Sequence, residues 1–336
     1  MPLLYDIPLS VLSRVSSGDA EVVGAIIKEV ASGKILAHVQ PTQGFFNVLS
    51  QAGGSLVQTG FSPLGAIGVV QSEQIKSGVA RLEQGLGLIQ NLQFVNMALT
   101  GIGLGISIAG FAVMNMRLNA IENNLGTLRE EVREIGSLIQ AAEIRRLFSE
   151  IRAALKDLDS VTTRTDHLAL ASSLQRQLST HVSSLNDLLM EAIAIQKETS
   201  LSMERLDLIW TLSSAKWLCE DAELRALFVS EDMEHVDEYA ARYIEDNLRC
   251  LDQVNLDAMA RLVASGENDL EKAVAKRREA AGLADNIANG FGKAVENLSQ
   301  QQSLSRALLE DKTSGRMFVQ TATKETQSKF LFVVPK

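Results

Sequence analysis

From Gln84 to Met116 the chain carries no charged residue, and its apolar core, Phe94 to Met116, is interrupted by polar groups only at Asn96, Thr100, Ser107 and Asn115. As an α-helix rising about 1.5 Å per residue, this core spans roughly 34 Å, against about 30 Å for the hydrocarbon of a bilayer. Two arrangements accommodate such a segment. It is a membrane-crossing helix carrying Phe94, Leu99, Gly101, Gly105, Ile106, Gly110 and Phe111, or it is buried on all sides in a helical core. Gly101, Gly103, Gly105 and Gly110 each cost about 1 kcal/mol of helix propensity in water. In a bilayer, Gly101-x-x-x-Gly105 and Gly105-x-x-x-Ala109 instead gather small residues on one face, where helices approach closely. Length favours the membrane reading, while the glycines weaken a helix in water and their pairing, if the segment is in a bilayer, suggests self-association.

The first charge after this run is Arg117. Phe111, Met114, Leu118, Ile121, Leu125, Leu128, Val132, Ile135, Ile139 and Ala142 then alternate in steps of three and four, with Glu122, Arg129, Glu130, Glu131, Arg133 and Glu134 between them. This is heptad spacing that begins inside the apolar segment, so span and stalk read as one continuous helix. The seam Leu118, Ile121, Leu125, Leu128, Val132, Ile135 and Ile139 pairs with the same helix of another subunit or packs on later helices of its own chain. The spacing leaves both open. Leu147, Ile151, Leu155 and Leu158 continue the helix with a shift in register.

The fold class reads as mainly α, with long helices and a small β element built from the two ends of the chain. Between Pro63 and Pro335 there is no proline, the residue that costs about 3 kcal/mol inside a helix. At the N-terminal end, residues 1–41 read as a small β-rich module. Leu3 to Ile7 is an edge strand, and Ser10 to Val23 a short helix broken near Gly18. Ala25–Val30 and Lys34–Val39 form a hairpin around Ala31-Ser32-Gly33. Residues 42–83 form a glycine-containing linker, uncharged from Gly44 to Ser72, that lies on a membrane, re-enters it or packs as a loop. Residues 84–117 are the membrane-length helix, 118–165 the stalk, and 166–312 a helical body of a size to sense a signal.

Within that body, Leu168–Lys197 has Leu174, Leu178, Val182, Leu185, Leu189 and Ile193 on one stripe, and further helices fall over Ser202–Leu218, Asp232–Ala264 and Asp269–Asp311. Trp210 and Trp217 share a face, as core anchors or as an interfacial belt. Residues 313–336 read as a C-terminal β-hairpin, Met317–Thr321 with Lys329–Val334, which meets the N-terminal strands in one sheet.

The net charge of −9 sets the whole surface against nucleic acid and anionic lipid, so any such binding is local. Acidic residues crowd between Glu220 and Arg249 and read as a solvated helix face. Cys219 and Cys250 make no secreted disulfide framework, and the N-terminus has no signal peptide. Synthesis in the cytosol and entry into the inner membrane from that side follow as expectations. His38, His167, His181 and His235 lack metal-ligand spacing, and Gly105-Ile-Ser107-Ile-Ala109 lacks the preceding strand of a nucleophile elbow. No enzyme, metal or cofactor is expected. Lys272, Lys276, Arg277 and Arg278, clustered within about two helical turns, and Arg316 further on, are a solvated face or a site for an anionic ligand.

The order of parts, a β-rich module with Val22-Val-Gly-Ala-Ile-Ile27 and Gly33-Lys-Ile-Leu-Ala37, a Gly/Ala/Leu-rich span, then Met116-Arg-Leu-Asn-Ala-Ile-Glu-Asn-Asn-Leu125, resembles bacterial membrane effectors of phage-defence operons. It is most similar to the membrane effector of Hailong-type systems, over roughly Ile7 to Ile139. The resemblance implies a four-fold homo-oligomer in the membrane, held silent by oligodeoxyadenylate from a partner nucleotidyltransferase, that kills the infected cell when it is lost. It carries no ligand-contacting residues with it. A looser similarity links the chain to α-helical pore-forming toxins, and a soluble coiled-coil scaffold or adaptor with a buried apolar helix is the alternative.

Overall fold

The computed structural model describes residues 3–23, 25–42, 44, 138–194, 201–254, 256–265, 267, 269–328 and 330–335. The segment 84–116, residues 45–72 and the seam positions Leu118, Ile121, Leu125, Leu128, Val132 and Ile135 lie outside these residues. Among the described residues the protein is mainly helical, with one small antiparallel sheet of four strands. In chain order the elements are α1 (Leu9–Ser17), β1 (Ala20–Val23), β2 (Ile26–Glu29), β3 (Ile35–Pro41), α2 (Leu138–Ser160), a single 3-10 turn (Val161–Thr163), α3 (His167–Ile193), α4 (Met203–Val229), α5 (Met233–Gln253), α6 (Leu256–Ala264), α7 (Leu270–Glu310), α8 (Gly315–Lys324) and β4 (Phe330–Val333). Among the described residues no helix is long and apolar enough to cross a membrane.

The helix α4 forms the axis of the bundle. Every residue from Ala215 to Val229 is buried, so this stretch has no solvent face. It runs antiparallel to α3, and the two helices are tied at one end by Arg205, whose guanidinium donates to the carbonyls of Ala192 (2.9 Å) and Ala194 (2.9 Å). The expected α3 stripe, Leu174 to Ile193, is buried along its whole length. On the other side α7, 41 residues and so about 60 Å long, packs on α4, α5 and α6. Asp269 caps α7, accepting from the backbone N–H of Glu271 (3.0 Å) and Lys272 (3.4 Å).

Trp210 and Trp217 are core anchors. They meet edge to face at 5.9 Å, and Trp217 meets Phe291 at 5.0 Å. Gly290 lets α7 approach them, since a Cβ there would stand 2.5 Å from the Trp217 ring.

The sheet order is β1-β2-β3-β4, so the two ends of the chain meet as expected. β4 pairs with β3 from His38↔Val333 to Pro41↔Phe330, and Leu4 bridges Phe332 on its far side. Gly33 makes the β2–β3 turn with φ +69, and Gly18 ends α1 with φ +82, both in the left-handed region that favours glycine. Gln300 of α7 fastens the sheet to the bundle by accepting from the Ala25 N–H at 2.8 Å.

Four expectations need correction. Residues 20–23 are strand β1, because Gly18 ends the helix and Ala20–Val23 pairs with Glu29–Ile26. The helix expected over Asp232–Ala264 is two, since α5 ends at Gln253, before Val254, and α6 starts at Leu256. The one expected over Ser202–Leu218 continues to Val229.

The C-terminal hairpin is half wrong, because Met317–Thr321 lies in α8. Its residues are β-formers, yet Ser314 Oγ accepts from Met317 N–H (3.1 Å), and the Glu231 carboxylate accepts from the N–H groups of Gly315 (3.0 Å) and Arg316 (3.3 Å). These caps start a helix whose Phe318, Val319 and Ala322 are buried at helical spacing. Glu231 itself sits at φ +62, a conformation costly for a non-glycine residue and held by this capping.

Gly290→Ala is expected to destabilise the bundle by about 1–3 kcal/mol through overpacking. Thermal melts and tryptophan emission check this, and an unchanged melting temperature would contradict the close α4–α7 approach.

Candidate functional site: a buried polar layer around helix α4

Charged and polar side chains enter the core from α4 at Lys216, Glu220, Asp221, Glu223 and Arg225. Three groups of partners meet them. Lys216 Nζ donates to Glu220 Oε1 and to Asn247 Oδ1 (3.0 Å) on α5. Trp217 Nε1 donates to the same Asn247 oxygen at 3.0 Å, while Asn247 Nδ2 donates to Glu220 Oε2 (3.0 Å) and the Tyr243 carbonyl (2.9 Å). Asn247 thus uses its amide in full while completely buried.

Glu223 accepts from the Tyr243 hydroxyl and from Gln175 Nε2 of α3 (2.7 Å). Arg242 stacks over Tyr239 and Tyr243 at 4.3 and 5.1 Å and donates to the Tyr243 oxygen at 3.3 Å. On the α7 side Asp221 Oδ1 accepts from Asn297 Nδ2 (2.7 Å) and Gln301 Nε2 (3.1 Å). One helix is therefore tied by polar contacts to α3, α5 and α7 at once.

Burial governs the protonation of this layer. It pushes the carboxyls of Glu220 and Glu223 above the ordinary carboxylate range, against the pull of Lys216 on one and the Tyr243 hydrogen bond on the other. It also raises the Tyr243 hydroxyl and the Cys219 thiol, and brings the Arg225 guanidinium down to about 10. His38, buried in β3, is lowered to about 4 by the same cause.

The expectation of a solvated acidic face between Glu220 and Arg249 fails at its start. Glu220, Asp221 and Glu223 are core residues, because α4 has no exposed side on which to place them. Tyr243, Asn247 and Arg225 carry no local mark in the sequence as members of this layer. The signal available was Lys216, Glu220 and Glu223 at i, i+4 and i+7 in a helix without a continuous polar face.

The candidates for an anionic ligand are divided. Lys272, Lys276, Arg277 and Arg278 lie exposed on the first turns of α7, where Lys276 pairs with Glu267 (2.9 Å) and Lys272 approaches Asp269 (3.9 Å). Arg316, on α8, is spent on a structural tie, donating from Nε (3.3 Å) and Nη2 (3.1 Å) to the Thr162 carbonyl in the 3-10 turn. Compared with family models, curated proteins and solved structures, the chain matches none.

Removing one ionic partner inside this layer leaves an uncompensated buried charge. Lys216→Met is expected to cost about 3–5 kcal/mol, and Lys216→Met with Glu220→Leu to recover most of it, as measured by denaturant unfolding. The pH dependence has a defined sign. With folded pKa values above the unfolded ones, Glu220 and Glu223 hold protons that the unfolded chain has released. Their contribution to stability is present below the ordinary glutamate value and declines as pH rises through the raised folded ones. Glu223→Gln should flatten part of that decline in melts taken from about pH 4.5 upward, and an unaltered pH profile would contradict the assignment.

Proposed function

We propose that this protein is a membrane-acting effector whose inserting element is the segment between β3 and α2. Two things support the reading: the membrane-length uncharged run 84–116, and the way the folded body holds both ends of the segment that contains it. At the departing end, Gly44 N–H donates to the Glu325 carbonyl (2.8 Å), and the Thr42 hydroxyl to that of Ser328. A Cβ at Gly44 would lie 2.6 Å from the Ser328 oxygen, so the chain leaves pressed against the turn before β4. At the returning end, Ile144, Leu147, Phe148 and Ile151 of α2 are buried in the core that also takes in the sheet.

Both ends therefore lie on one side of any bilayer. A single crossing by Phe94–Met116 would put them on opposite sides, so crossings come in pairs. The second pass falls to the uncharged stretch up to Ser72, with Glu73, Lys76, Arg81 and Glu83 in the turn on the far side. Neighbouring copies pack along Leu118 to Ile139, bringing the apolar segments together, and the loss of membrane integrity is the output. An anionic nucleotide such as oligodeoxyadenylate is the proposed restraint, met by Lys272, Lys276, Arg277 and Arg278 after displacing their carboxylate partners.

Expression in bacteria with a membrane-potential dye tests the insertion. Depolarisation is expected, and Ile106→Arg, costing about 2.5–3.5 kcal/mol at mid-bilayer, should abolish it while leaving the body folded. Soluble, harmless protein would instead favour the scaffold reading. Topology is tested with a membrane-impermeant maleimide, since Cys219 and Cys250 are both buried. A cysteine at Ser77 should label from outside intact spheroplasts, whereas one at Lys272 should label only after lysis. Labelling of both from the same side would contradict paired crossings.

A further inference from the structure

Helix α7 begins before the bundle does. From Leu270 to Glu279 every residue is exposed except the half-buried Ala273, and the helix first enters the core at Ala280. About 15 Å of helix therefore stands clear of the packing. Its own loop holds it in shape. Asp269 accepts from the N–H groups of Glu271 (3.0 Å) and Lys272 (3.4 Å), while Lys276 and Lys272 turn back to the carboxylates of Glu267 (2.9 Å) and Asp269 (3.9 Å).

The face these turns present is amphipathic. Leu270 is 81% exposed and Val274 53%. One helical turn apart, they share a side of the helix, and Arg277 and Arg278, three and four residues after Val274, continue it to left and right. Glu271 lies at the edge of this face, and Glu279, five residues after Val274, falls on the far side of the helix. Exposed apolar side chains scattered singly are ordinary, whereas two stacked on a projecting helix beside arginines match a helix that lies in a lipid interface.

We infer that the first turns of α7 dock the body on an anionic bilayer surface. Leu270 and Val274 enter the boundary between headgroups and acyl chains, and Arg277 and Arg278 meet the lipid phosphates. A free phosphate or nucleotide engages the arginines alone and leaves the leucine and valine in water; a lipid surface takes all four. The docking rests on the membrane reading for the presence of a bilayer, but it needs no crossing by residues 84–116. It also gives the proposed restraint a mechanism, since a nucleotide on Arg277 and Arg278 occupies the groups that lipid phosphate takes.

The test is co-sedimentation of the full-length protein carrying Ile106→Arg, which blocks insertion, with vesicles of phosphatidylcholine alone and of phosphatidylcholine containing one third phosphatidylglycerol, at low and high salt. Binding is expected to the anionic vesicles and to fall with salt. Each arginine near such a surface contributes about fivefold, so Arg277→Gln with Arg278→Gln should weaken binding by roughly 25-fold. Leu270→Ser with Val274→Ser should weaken it by about tenfold, and inorganic phosphate at matched ionic strength should not displace the protein. All four positions are exposed, so the helical content should be unchanged in circular dichroism. Equal binding to both vesicles, anionic binding indifferent to either double substitution, or displacement by phosphate with no effect of the serine pair would overturn the docking. Its failure is separable from that of insertion. Depolarisation by the wild type with no preference for anionic vesicles would sink the docking alone, and salt-sensitive anionic binding without depolarisation would uphold the docking and count against insertion.

Discussion

The burial of charge on α4 is the constraint on which the rest of the fold depends. A helix surrounded on every side cannot turn Lys216, Glu220, Asp221 and Glu223 to water. Its neighbours must therefore supply matched donors and acceptors at fixed heights. Asn247 and Tyr243 on α5, Gln175 on α3, and Asn297 and Gln301 on α7 do so. Apolar packing alone tolerates sliding, whereas a buried amide with every bond made does not. The polar layer thus fixes the register of three helices against the fourth, and the aromatic contact of Trp210, Trp217 and Phe291 at Gly290 closes the other half of the same interface.

That rigid frame is completed by the chain's two ends. β4 lies between Leu4 and β3, and the turn at Glu325–Ser328 holds the chain at Thr42 and Gly44 where it leaves for the 45–137 segment. α2 brings it back onto α3 and α4. The body therefore holds the chain at Gly44 and at α2, on either side of residues 45–137.

Much of this was legible in the residues. The α3 stripe from Leu174 to Ile193, the bounds of α7 with Asp269 before it, the β2–β3 hairpin at Gly33 and the meeting of the two chain ends all follow from periodicity and turn chemistry. α8 did not, because Met317-Phe318-Val319 has strand propensity and its helix depends on Glu231, 84 residues away from Gly315, for capping. The ionic core did not either. Acidic density suggests a solvated face, but Leu218, Cys219, Ala222 and Leu224, all fully buried around Glu220, Asp221 and Glu223, leave this part of α4 no side for water. Partners such as Asn247 and Gln175 carry no local mark, since only the tertiary fold brings them to α4.

The central claim is that the polar layer and the sheet make a body that stands without the segment it holds. It is tested most directly by replacing residues 45–137 with a flexible Gly/Ser linker of about 20 residues, which reaches roughly 25 Å. Hydrogen exchange of the α4 amides from Ala215 to Val229, followed with circular dichroism, is the measurement. The expected result is a cooperative helical protein whose α4 amides are its slowest to exchange. Rapid, uniform exchange along α4 in the shortened chain would contradict the claim, because the layer would then depend on the segment rather than anchor it.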